Sequence, residues 1–389
     1  MTPRLLVISP PCHQPVNRAV YHELASRHGI PVRLVVPRQL SVGGVWRDTP
    51  SGDASAAYEL VLVDLKGTHG RLQRMATFDD ATLGWGPTHI FVDSDPASLM
   101  TRQAITTFPK AKVWAMTAEN LPPRYLNEFF SGLKAFKPAR MLAPLMVFAL
   151  RTWIHPKVDR VFTLSQDGTR VMEKLGLRAT QIPLGFDPAL FCIQDATKRS
   201  ATRERIGLKH RTVAYFGRQT PEKGVHLLVE ALAGLKHLEW QFLIDHFSAY
   251  GGDYIDQLRG LIESSGISDR VVYFDAPHHE MPDYMNASDI VVLPSVSTPK
   301  WKEQYGRVIP EAMACGRAVI GSDSGAIPEL IAGFGDIFPE GNVGALRAVL
   351  ERLLQAPDLA QRGEQASVHA HQQLSITRQA EILASCLVS

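Results

Sequence analysis

Short apolar runs alternate with amphipathic stretches along most of the chain. The runs Arg4–Ser9 and Val32–Val36 flank Asn17–Arg27, a stretch with helical periodicity. A strand–helix–strand unit of this spacing is typical of a parallel α/β sheet. The pattern predicts further strands at Tyr58–Val63, Thr88–Val92, Lys112–Met116, Arg160–Leu164, Thr212–Phe216, Trp240–Ile244, Val271–Phe274, Ile290–Pro294 and Ala318–Ile320. It predicts further helices at Ser98–Thr107, Asp167–Leu175, Val225–Leu235, Asp253–Ser264, Met281–Ala287 and Val343–Gln355, with a final helical run ending at Leu387.

The length of the chain favours two domains. A chain of 389 residues is too long for one ordinary core, so two domains of roughly 150–200 residues each are expected. The segment Ile182–Arg203 interrupts the alternation with prolines, Gly185 and the polar run Gln194–Arg203, which is typical of a linker. We therefore predict an N-terminal domain over residues 1–185 and a C-terminal domain over residues 186–371.

Composition and charge narrow the class of protein. A hydrophobic content of 45% with 21% charged residues indicates a globular protein, and a net charge of +2 argues against a general nucleic-acid binder. Cys12, Cys192, Cys315 and Cys386 form no C-x-x-C pair, which favours reduced thiols in a cytosolic protein over a disulfide framework or zinc site. The run Leu5–Ile8 is too short for a signal-peptide core, and no apolar stretch approaches the roughly 20 residues that span a bilayer. These features predict a cytosolic two-domain enzyme or binding protein.

The stretch Pro299–Leu330 combines two carboxylates with two predicted helix starts. Glu311 opens a helical run, Glu303 lies just ahead of it, and a second turn-to-helix start follows at Ser322–Pro328. A helix N-terminus attracts phosphate through unpaired N–H groups and a partial positive charge. A carboxylate is instead suited to accept hydrogen bonds from hydroxyls. Phosphate and hydroxyl recognition together indicate a sugar nucleotide.

The loop Phe216–Gly224 places two cations between a strand and a helix. Arg218 can make bidentate hydrogen bonds to phosphate oxygens, and Lys223 supplies a point charge. The pair is therefore a candidate anion-binding site. The alternative interpretation is a solvated loop whose cations contact nothing.

Several motifs in order along the chain resemble one enzyme family. GRQTPEKG, EQYGRVIPE, SDSGAIPE and the segment VFTLSQDGTRVMEKLG…IPLGFDPALF resemble the retaining family 4 (group 1) glycosyltransferases of GT-B fold. The match covers Arg160–Leu330 well and the first 150 residues in outline. The resemblance implies an α/β fold of two facing Rossmann-like domains, each a mostly parallel sheet flanked by helices. It also implies a donor-binding C-terminal half, an acceptor-binding N-terminal half, a C-terminal helix (about 372–389) that crosses back, and a hinge at Pro183–Phe191.

The resemblance assigns roles to the candidate residues. Arg218 and Lys223 would hold the donor diphosphate, Glu311 the ribose hydroxyls and Glu303 the transferred sugar, which makes Glu303, Arg218 and Lys223 the catalytic candidates. Backbone N–H groups near four residues would receive a phosphate oxygen: Gly306, Arg307, Val308 and Ile309. No metal or other cofactor is expected, because two cations and a helix terminus can stabilise the departing charge. The alternatives are a surface Glu303 and a Glu311 that merely favours a helix N-terminus.

Two motifs invite a metal interpretation. Asp93-Ser94-Asp95 matches the Asp-x-Asp signature of the other large glycosyltransferase fold, GT-A, but it ends a strand of the N-terminal half. We interpret Asp93 and Asp95 as cleft-lining or helix-capping residues, with Asp95 an acceptor contact. His278-His279-Glu280 resembles a zinc ligand set, but adjacent histidines rarely chelate one ion, so a loop near the nucleotide base is expected.

The N-terminal half departs from the family pattern at two places. The first strand leads into Ser9–Pro15 instead of a Gly-Gly loop, and Thr117–Asn120 stands where many members carry a His. Glu119 is therefore a catalytic candidate, with Asn120 as a neighbouring contact to sugar or acceptor. His13 and Gln14 are further acceptor candidates. We favour front-side attack, in which the departing phosphate takes the acceptor proton, over a covalent intermediate.

Asn127–Arg151 interleaves basic residues with an apolar run that is too short to span a membrane. One interpretation is an amphipathic segment on an anionic membrane, with a lipid-linked acceptor at the cytoplasmic face. The other is a helix packed on the N-terminal sheet.

The sequence thus predicts transfer of a hexose from a UDP- or GDP-sugar to a hydroxyl acceptor with retention, in polysaccharide, glycolipid or glycoconjugate synthesis. The protein would be cytoplasmic, with peripheral membrane contact and no nucleic-acid partner. Alternatives are a same-fold phosphorylase or epimerase, and a non-catalytic sugar-nucleotide-binding regulator or scaffold.

Overall fold

The computed structural model describes residues 2–42, 45–51, 55–67, 70–123, 133, 138–246 and 252–388. The chain divides into two compact units, Met1–Ile182 with Ile376–Ser389, and Pro183–Ser375. We call these the N-terminal unit and the C-terminal unit.

Strands and helices are numbered along the described chain. The strands are β1 (Leu5–Ile8), β2 (Val32–Pro37), β3 (Gln39–Val42), β4 (Val45–Asp48), β5 (Glu59–Val63), β6 (Leu65–Lys66), β7 (Arg74–Met75), β8 (His89–Val92), β9 (Lys112–Thr117), β10 (Arg160–Thr163), β11 (Ala179–Gln181), β12 (Arg211–Tyr215), β13 (Trp240–Asp245), β14 (Val271–Phe274), β15 (Ile290–Leu293), β16 (Ala318–Ser322) and β17 (Asp336–Phe338). The helices are α1 (Ala19–His28), α2 (Asp80–Leu83), α3 (Leu99–Thr107), α4 (Pro138–Ile154), α5 (Gln166–Lys174), α6 (Ala196–Arg205), α7 (Val225–Ala233), α8 (Gly252–Ser264), α9 (Met281–Ala287), α10 (Val308–Ala314), α11 (Ile327–Ile331), α12 (Val343–Gln355), α13 (Leu359–Gln373) and α14 (Ile376–Val388).

The N-terminal unit is built on a parallel sheet. Within the described residues it has seven strands in the order β11-β10-β9-β8-β1-β2-β5. Every residue of β1, β2 and β8 is buried, as expected for parallel strands covered by helices on both faces. Helix α14 packs against α1, where the Thr377 hydroxyl donates to Glu23 Oε1 at 2.8 Å. The C-terminal helix thus belongs to the N-terminal unit.

The C-terminal unit contains a second parallel sheet. Its described strands follow the order β14-β13-β12-β15-β16-β17, which is the doubly wound order 3-2-1-4-5-6. The order reverses between β12 and β15, and ligands of such sheets bind in the crevice beyond the carboxyl ends of the strands at that point. Residues from these strand ends are therefore the ones expected to carry a site.

Polar side chains fix where several helices begin. Ser98, Ser165, Asp195 and Asn342 each accept the backbone N–H three residues later, at the starts of α3, α5, α6 and α12. These contacts satisfy N–H groups that have no partner inside the helix.

The predicted fold class is confirmed, because both units are α/β layers with parallel sheets and flanking helices. The prediction that the polar run Gln194–Arg203 is linker was wrong in part. Asp195 caps α6, and Arg199 and Arg203 of this helix contact the carboxylate of Asp289 at 2.6 and 3.4 Å. The chain therefore folds onto the second sheet from residue 196.

Other differences are smaller. The final helical run is two helices, α13 and α14, and the sequence pattern missed the hairpins β3–β4 and β6–β7 and the edge strand β17. Part of the predicted segment Asn127–Arg151 lies outside the described residues, which include α4 from Pro138. Of the helices that are described, none is both long and apolar enough to cross a membrane.

Candidate functional site

A cavity of about 320 Å³ lies in the C-terminal unit where β12, β13 and β15 end. Its lining includes seven of the residues predicted from sequence: Arg218, Lys223, Glu303, Gly306, Arg307, Val308 and Glu311. The remaining lining residues are Tyr215, Phe216, Gly217, Asp245, Met281, Met285 and Leu293. The structure thus brings the two cations and two carboxylates of the motifs into one concave site.

The loop after β12 has a constrained backbone that sets the position of Lys223. The Tyr215 hydroxyl donates to the Arg218 carbonyl at 2.5 Å, and a 3₁₀ turn over Pro221–Lys223 ends at Gly224. Gly224 has φ +67°, and a side chain there would collide with the Pro294 carbonyl oxygen. Only glycine avoids both the strain and the collision.

Glu303 is the most enclosed of the predicted carboxylates, with 5% of its surface exposed. Its Oε2 accepts hydrogen bonds from Lys223 Nζ at 2.6 Å and from Ser295 Oγ at 2.7 Å. Its carbonyl oxygen accepts the N–H of Ala326 at 3.1 Å. Charge and backbone contacts together hold this side chain at one end of the cavity.

Glu311 lies in the first turn of α10, as predicted, and is 7% exposed. Its Oε1 lies 3.6 Å from Nε2 of His278, whose ring meets Phe191 edge-on at 5.6 Å between centroids. His278 was predicted to lie near the nucleotide base, and its contact with Glu311 puts it close to this cavity.

The predicted phosphate contact through backbone N–H groups stays a prediction. Helix α10 has only seven residues, and its Ile309 N–H donates to the Gly306 carbonyl at 2.9 Å. The Ile309 side chain is 1% exposed and packs in the core rather than lining the cavity.

Asp245 is a cavity residue that the motifs did not predict. It is the last residue of β13 and 4% exposed, and its carboxyl group accepts the backbone N–H of Gly217. Burial, together with the charge of Asp275, raises the pKa of Asp245 to about 7. One sequence feature could have identified Asp245: it lies at the carboxyl end of a predicted strand, where ligands of parallel sheets bind.

In the N-terminal unit, Arg71 brings two predicted residues together. Its Nη2 lies 3.0 Å from Asp95 Oδ2 and 3.4 Å from Glu119 Oε1. Asp93 Oδ2 accepts from the Ser9 hydroxyl at 2.8 Å. The predicted helix-capping role of Asp93 and Asp95 was wrong, because Ser98 caps α3. Among the side chains that the structure describes, no three His, Cys, Asp or Glu residues form a metal-binding group.

His13 is buried in a 3₁₀ turn, whereas its neighbour Gln14 is exposed and Asn120 is 4% exposed. His13 Nδ1 lies 2.7 Å from the Thr49 hydroxyl, which itself donates to the Pro37 carbonyl. The Nδ1 atom must therefore carry the proton, and Nε2 is the acceptor of the neutral ring. Burial, with Arg18 and Arg47, lowers the pKa of His13 and keeps it neutral.

Comparison with known proteins identifies the domain that contains the cavity. Residues 198–368 match the family model described as Glycosyl transferases group 1. The lipopolysaccharide core biosynthesis mannosyltransferase LpcC of Rhizobium leguminosarum bv. viciae is 28% identical over 244 residues, 60% of this chain and 66% of that protein. The D-inositol 3-phosphate glycosyltransferase of Corynebacterium jeikeium is 35% identical over 161 residues, 39% of this chain and 37% of that protein. The chain therefore spans less than two thirds of the length of these relatives.

Solved structures resemble the chain over its whole length. Anabaena HepE in complex with UDP-glucose superimposes with a TM-score of 0.70 at 16% identity, covering 99% of both chains. WaaG, a glycosyltransferase involved in lipopolysaccharide biosynthesis, superimposes with a TM-score of 0.63 at 18% identity, covering 99% of this chain and 100% of that one. The fold is that of the GT-B glycosyltransferases, and residues 198–368 form a group 1 glycosyltransferase domain. The predicted resemblance to group 1 is confirmed.

Proposed function

We propose that the protein transfers a hexose from a UDP- or GDP-sugar to a hydroxyl acceptor, with retention of configuration. The observation that carries this proposal is the cavity in which Arg218 and Lys223 stand beside the buried carboxylates Glu303 and Glu311. Cations suit the diphosphate and carboxylates suit sugar hydroxyls.

Each end of the donor has a partner of matching chemistry. The guanidinium of Arg218 and the ammonium of Lys223 bind the diphosphate and stabilise the charge that develops as it leaves. Lys223 has three N–H donors, so it can bind a phosphate oxygen and keep its contact with Glu303. Glu303 accepts from hydroxyls of the transferred sugar, and Glu311 accepts from the ribose. The two cations balance the diphosphate without a metal ion or other cofactor.

Retention follows from attack on the same face that the diphosphate leaves. The acceptor hydroxyl approaches beside the departing phosphate, whose oxygen takes the proton. The bond between the anomeric carbon and phosphate oxygen breaks as the bond to the acceptor oxygen forms. This route needs positioning and charge stabilisation rather than a protein nucleophile.

The names of similar proteins support this donor class. One relative, from Mycolicibacterium smegmatis, is named a GDP-mannose-dependent mannosyltransferase, and Anabaena HepE was crystallised with UDP and with UDP-glucose.

The acceptor binds to the N-terminal unit in this proposal. Asp95 and Glu119, joined by Arg71, accept from acceptor hydroxyls, with Glu119 the catalytic candidate of this unit. His13 offers a neutral acceptor nitrogen. Gln14 and Asn120 supply amide groups.

We also propose that the acceptor is lipid-linked and is met at the cytoplasmic face of a membrane. Leu150 and Ile154 pack α4 against the N-terminal core. In contrast, Leu145, Met146 and Phe148 on this helix are 53%, 63% and 52% exposed. An exposed apolar surface with Arg151 nearby suits an anionic bilayer. This placement agrees with synthesis of a polysaccharide, glycolipid or other glycoconjugate.

Donor turnover tests the proposal. The purified protein is incubated with UDP- and GDP-hexoses and a membrane extract, and free UDP or GDP is measured. We expect nucleotide release with one donor and at least about a hundredfold loss in Glu303→Gln, with donor binding and the unfolding midpoint measured in parallel. Glu263→Gln, an exposed position on α8, is the matched control and should turn over normally.

Other outcomes would identify the alternatives. Donor binding without any release across the panel would favour a non-catalytic regulator or scaffold. Conversion of the donor sugar without nucleotide release would indicate an epimerase, and phosphate-dependent formation of a sugar phosphate would indicate a phosphorylase. Unchanged turnover in Glu303→Gln would contradict the site assignment.

A further inference from the structure

The sheet order places Asp245 at the end of the cavity opposite Glu303. Glu303 contacts Ser295 after β15, and its backbone N–H meets the Ser324 hydroxyl after β16 at 3.4 Å. Asp245 ends β13, on the other side of β12. The carboxylate of Glu303 contacts Ser295 after β15, and strands lie about 4.8 Å apart, so β13 and β15 are separated by about 10 Å. Since the cation Arg218 follows β12 between them, a bound sugar nucleotide would extend its base toward Asp245.

The surroundings of Asp245 suit a flat ring with polar edges. Met281 and Met285 of α9 line the same cavity and offer apolar surface to a ring face. Among the residues that the structure describes, the carboxyl group of Asp245 accepts the backbone N–H of Gly217. Within the part of the chain that the structure describes, no Lys, Arg or His forms an ion pair with it. An ionised carboxylate this deeply buried needs further N–H donors, which a ligand can supply.

We infer that Asp245 selects a guanine base, so that the donor is a GDP-sugar; this inference rests on the proposed function. Guanine presents two adjacent N–H donors, N1–H and the 2-amino group, on one edge, and a carboxylate accepts such a pair with both oxygens. Uracil presents one N–H between two carbonyl oxygens, and adenine presents an amino group beside an acceptor nitrogen. Those edges place an acceptor against one oxygen of an ionised carboxylate.

The charge of Asp275 strengthens this choice. Asp275 follows β14, whose Phe274 pairs with Asp245 in register, and its charge acts on Asp245. The negative charge of Asp275 next to Asp245 favours the ligand edge with the most N–H donors. Guanine is that ligand among the common bases.

Calorimetric titration of the full chain with GDP, UDP and ADP at pH 8 tests the inference. We expect GDP to bind at least about tenfold more tightly than UDP or ADP, because only guanine offers the carboxylate a bidentate contact. In Asp245→Asn the side-chain NH₂ group would face one guanine N–H. The affinity for GDP should therefore fall about tenfold or more, while the affinities for UDP and ADP should change little. Asp269→Asn, an exposed carboxylate in the same unit, is the control and should bind GDP as the wild type does.

A second titration needs no variant. IDP keeps the N1–H of GDP and lacks the 2-amino group, so it should bind about tenfold more weakly than GDP to the wild type. Equal binding of IDP and GDP, tighter binding of UDP or ADP, or equal loss of all three nucleotides in Asp245→Asn would each overturn the inference. In those cases the proposed transferase would stand. Failure of every nucleoside diphosphate to bind would overturn the proposed function as well.

Discussion

Lys223 Nζ lies 2.6 Å from Glu303 Oε2, and this contact joins two loops that are 80 positions apart in the chain. The side chains are 13% and 6% exposed. The pair lines the cavity where the strand order reverses between β12 and β15. Because both charges are largely removed from water, each depends on the other for its stabilisation.

Removing only the lysine should therefore destabilise the protein. In Lys223→Met the carboxylate of Glu303 stays buried and keeps its hydrogen bond from the Ser295 hydroxyl, but it loses its ion pair with Lys223. The free energy of unfolding should fall by about 3–5 kcal/mol, measured by urea denaturation. The double variant Lys223→Met/Glu303→Gln should recover part of that loss, because both charges of the buried ion pair are then removed together.

Lys300→Met provides the matched control, since Lys300 is exposed in the same segment as Glu303. Its effect should stay within about 0.5 kcal/mol. If Lys223→Met changed the free energy of unfolding as little as Lys300→Met, the ion pair would not contribute to the stability of the protein.

The residues of the cavity could be predicted because their sequence motifs are local. Arg218, Lys223 and Glu303 stand in strand-to-helix loops, and Glu311 lies in the first turn of a helix that follows such a loop. These loops gather at one edge of a parallel sheet. The motifs therefore predicted both the secondary structure around these residues and their common position at the end of the sheet.

Features that depend on distant contacts could not be predicted in this way. The polar run at Gln194–Arg203 was expected to be a linker because Arg199 has its partner, Asp289, 90 positions later. Asp245 likewise resembled any polar residue after a strand until burial and Asp275 distinguished it. In the N-terminal unit, Arg71 joins Asp95 and Glu119 from 24 and 48 positions away, and no motif marks it.

The left-handed backbone of Gly224 gives a second prediction. Gly224→Ala should cost more than about 2 kcal/mol of unfolding free energy, because the methyl group adds a collision with the Pro294 carbonyl to the strain of a positive φ. Gly207, with φ +74° and no atom within 4 Å of the position that a Cβ would take, separates the two effects. Gly207→Ala should cost only about 1–2 kcal/mol. Equal losses in thermal or urea unfolding would show that the Pro294 contact relaxes freely.

Asp245 should make stability depend on pH. Its pKa of about 7 in the folded protein lies above the ordinary value of 3.8, so the folded state holds the proton more tightly than the unfolded chain does. The resulting stabilisation is fully present below about pH 4 and is lost as pH rises to 7, by at most roughly 1.4 kcal/mol per pH unit. Asp245→Asn should not show this loss, so its stability relative to wild type should increase between pH 4.5 and 7.5.

Asp275 supplies the check on that assignment. Its charge raises the pKa of Asp245, after burial, while Tyr215 of β12 and the N–H of Gly217 also face that group. Asp275→Asn should shift the stability loss toward lower pH without removing it. Urea unfolding across the pH series measures both effects. A difference between Asp245→Asn and wild type that stays constant with pH would contradict the raised pKa.

Three exposed apolar side chains of α4 give the last prediction. Leu145, Met146 and Phe148 lie on a helix that carries Arg151 and is followed by Lys157, whose ammonium lies 3.8 Å from the Trp153 ring centroid. Replacing the three apolar residues by Gln should reduce co-sedimentation with phosphatidylglycerol vesicles at least about tenfold, because each buried apolar side chain and nearby cation contributes to binding. Val368→Gln, which is 57% exposed on α13, should bind as the wild type does. Binding that was unchanged by the triple substitution, or equal for wild type on phosphatidylcholine vesicles, would rule out these side chains as an anionic-membrane contact.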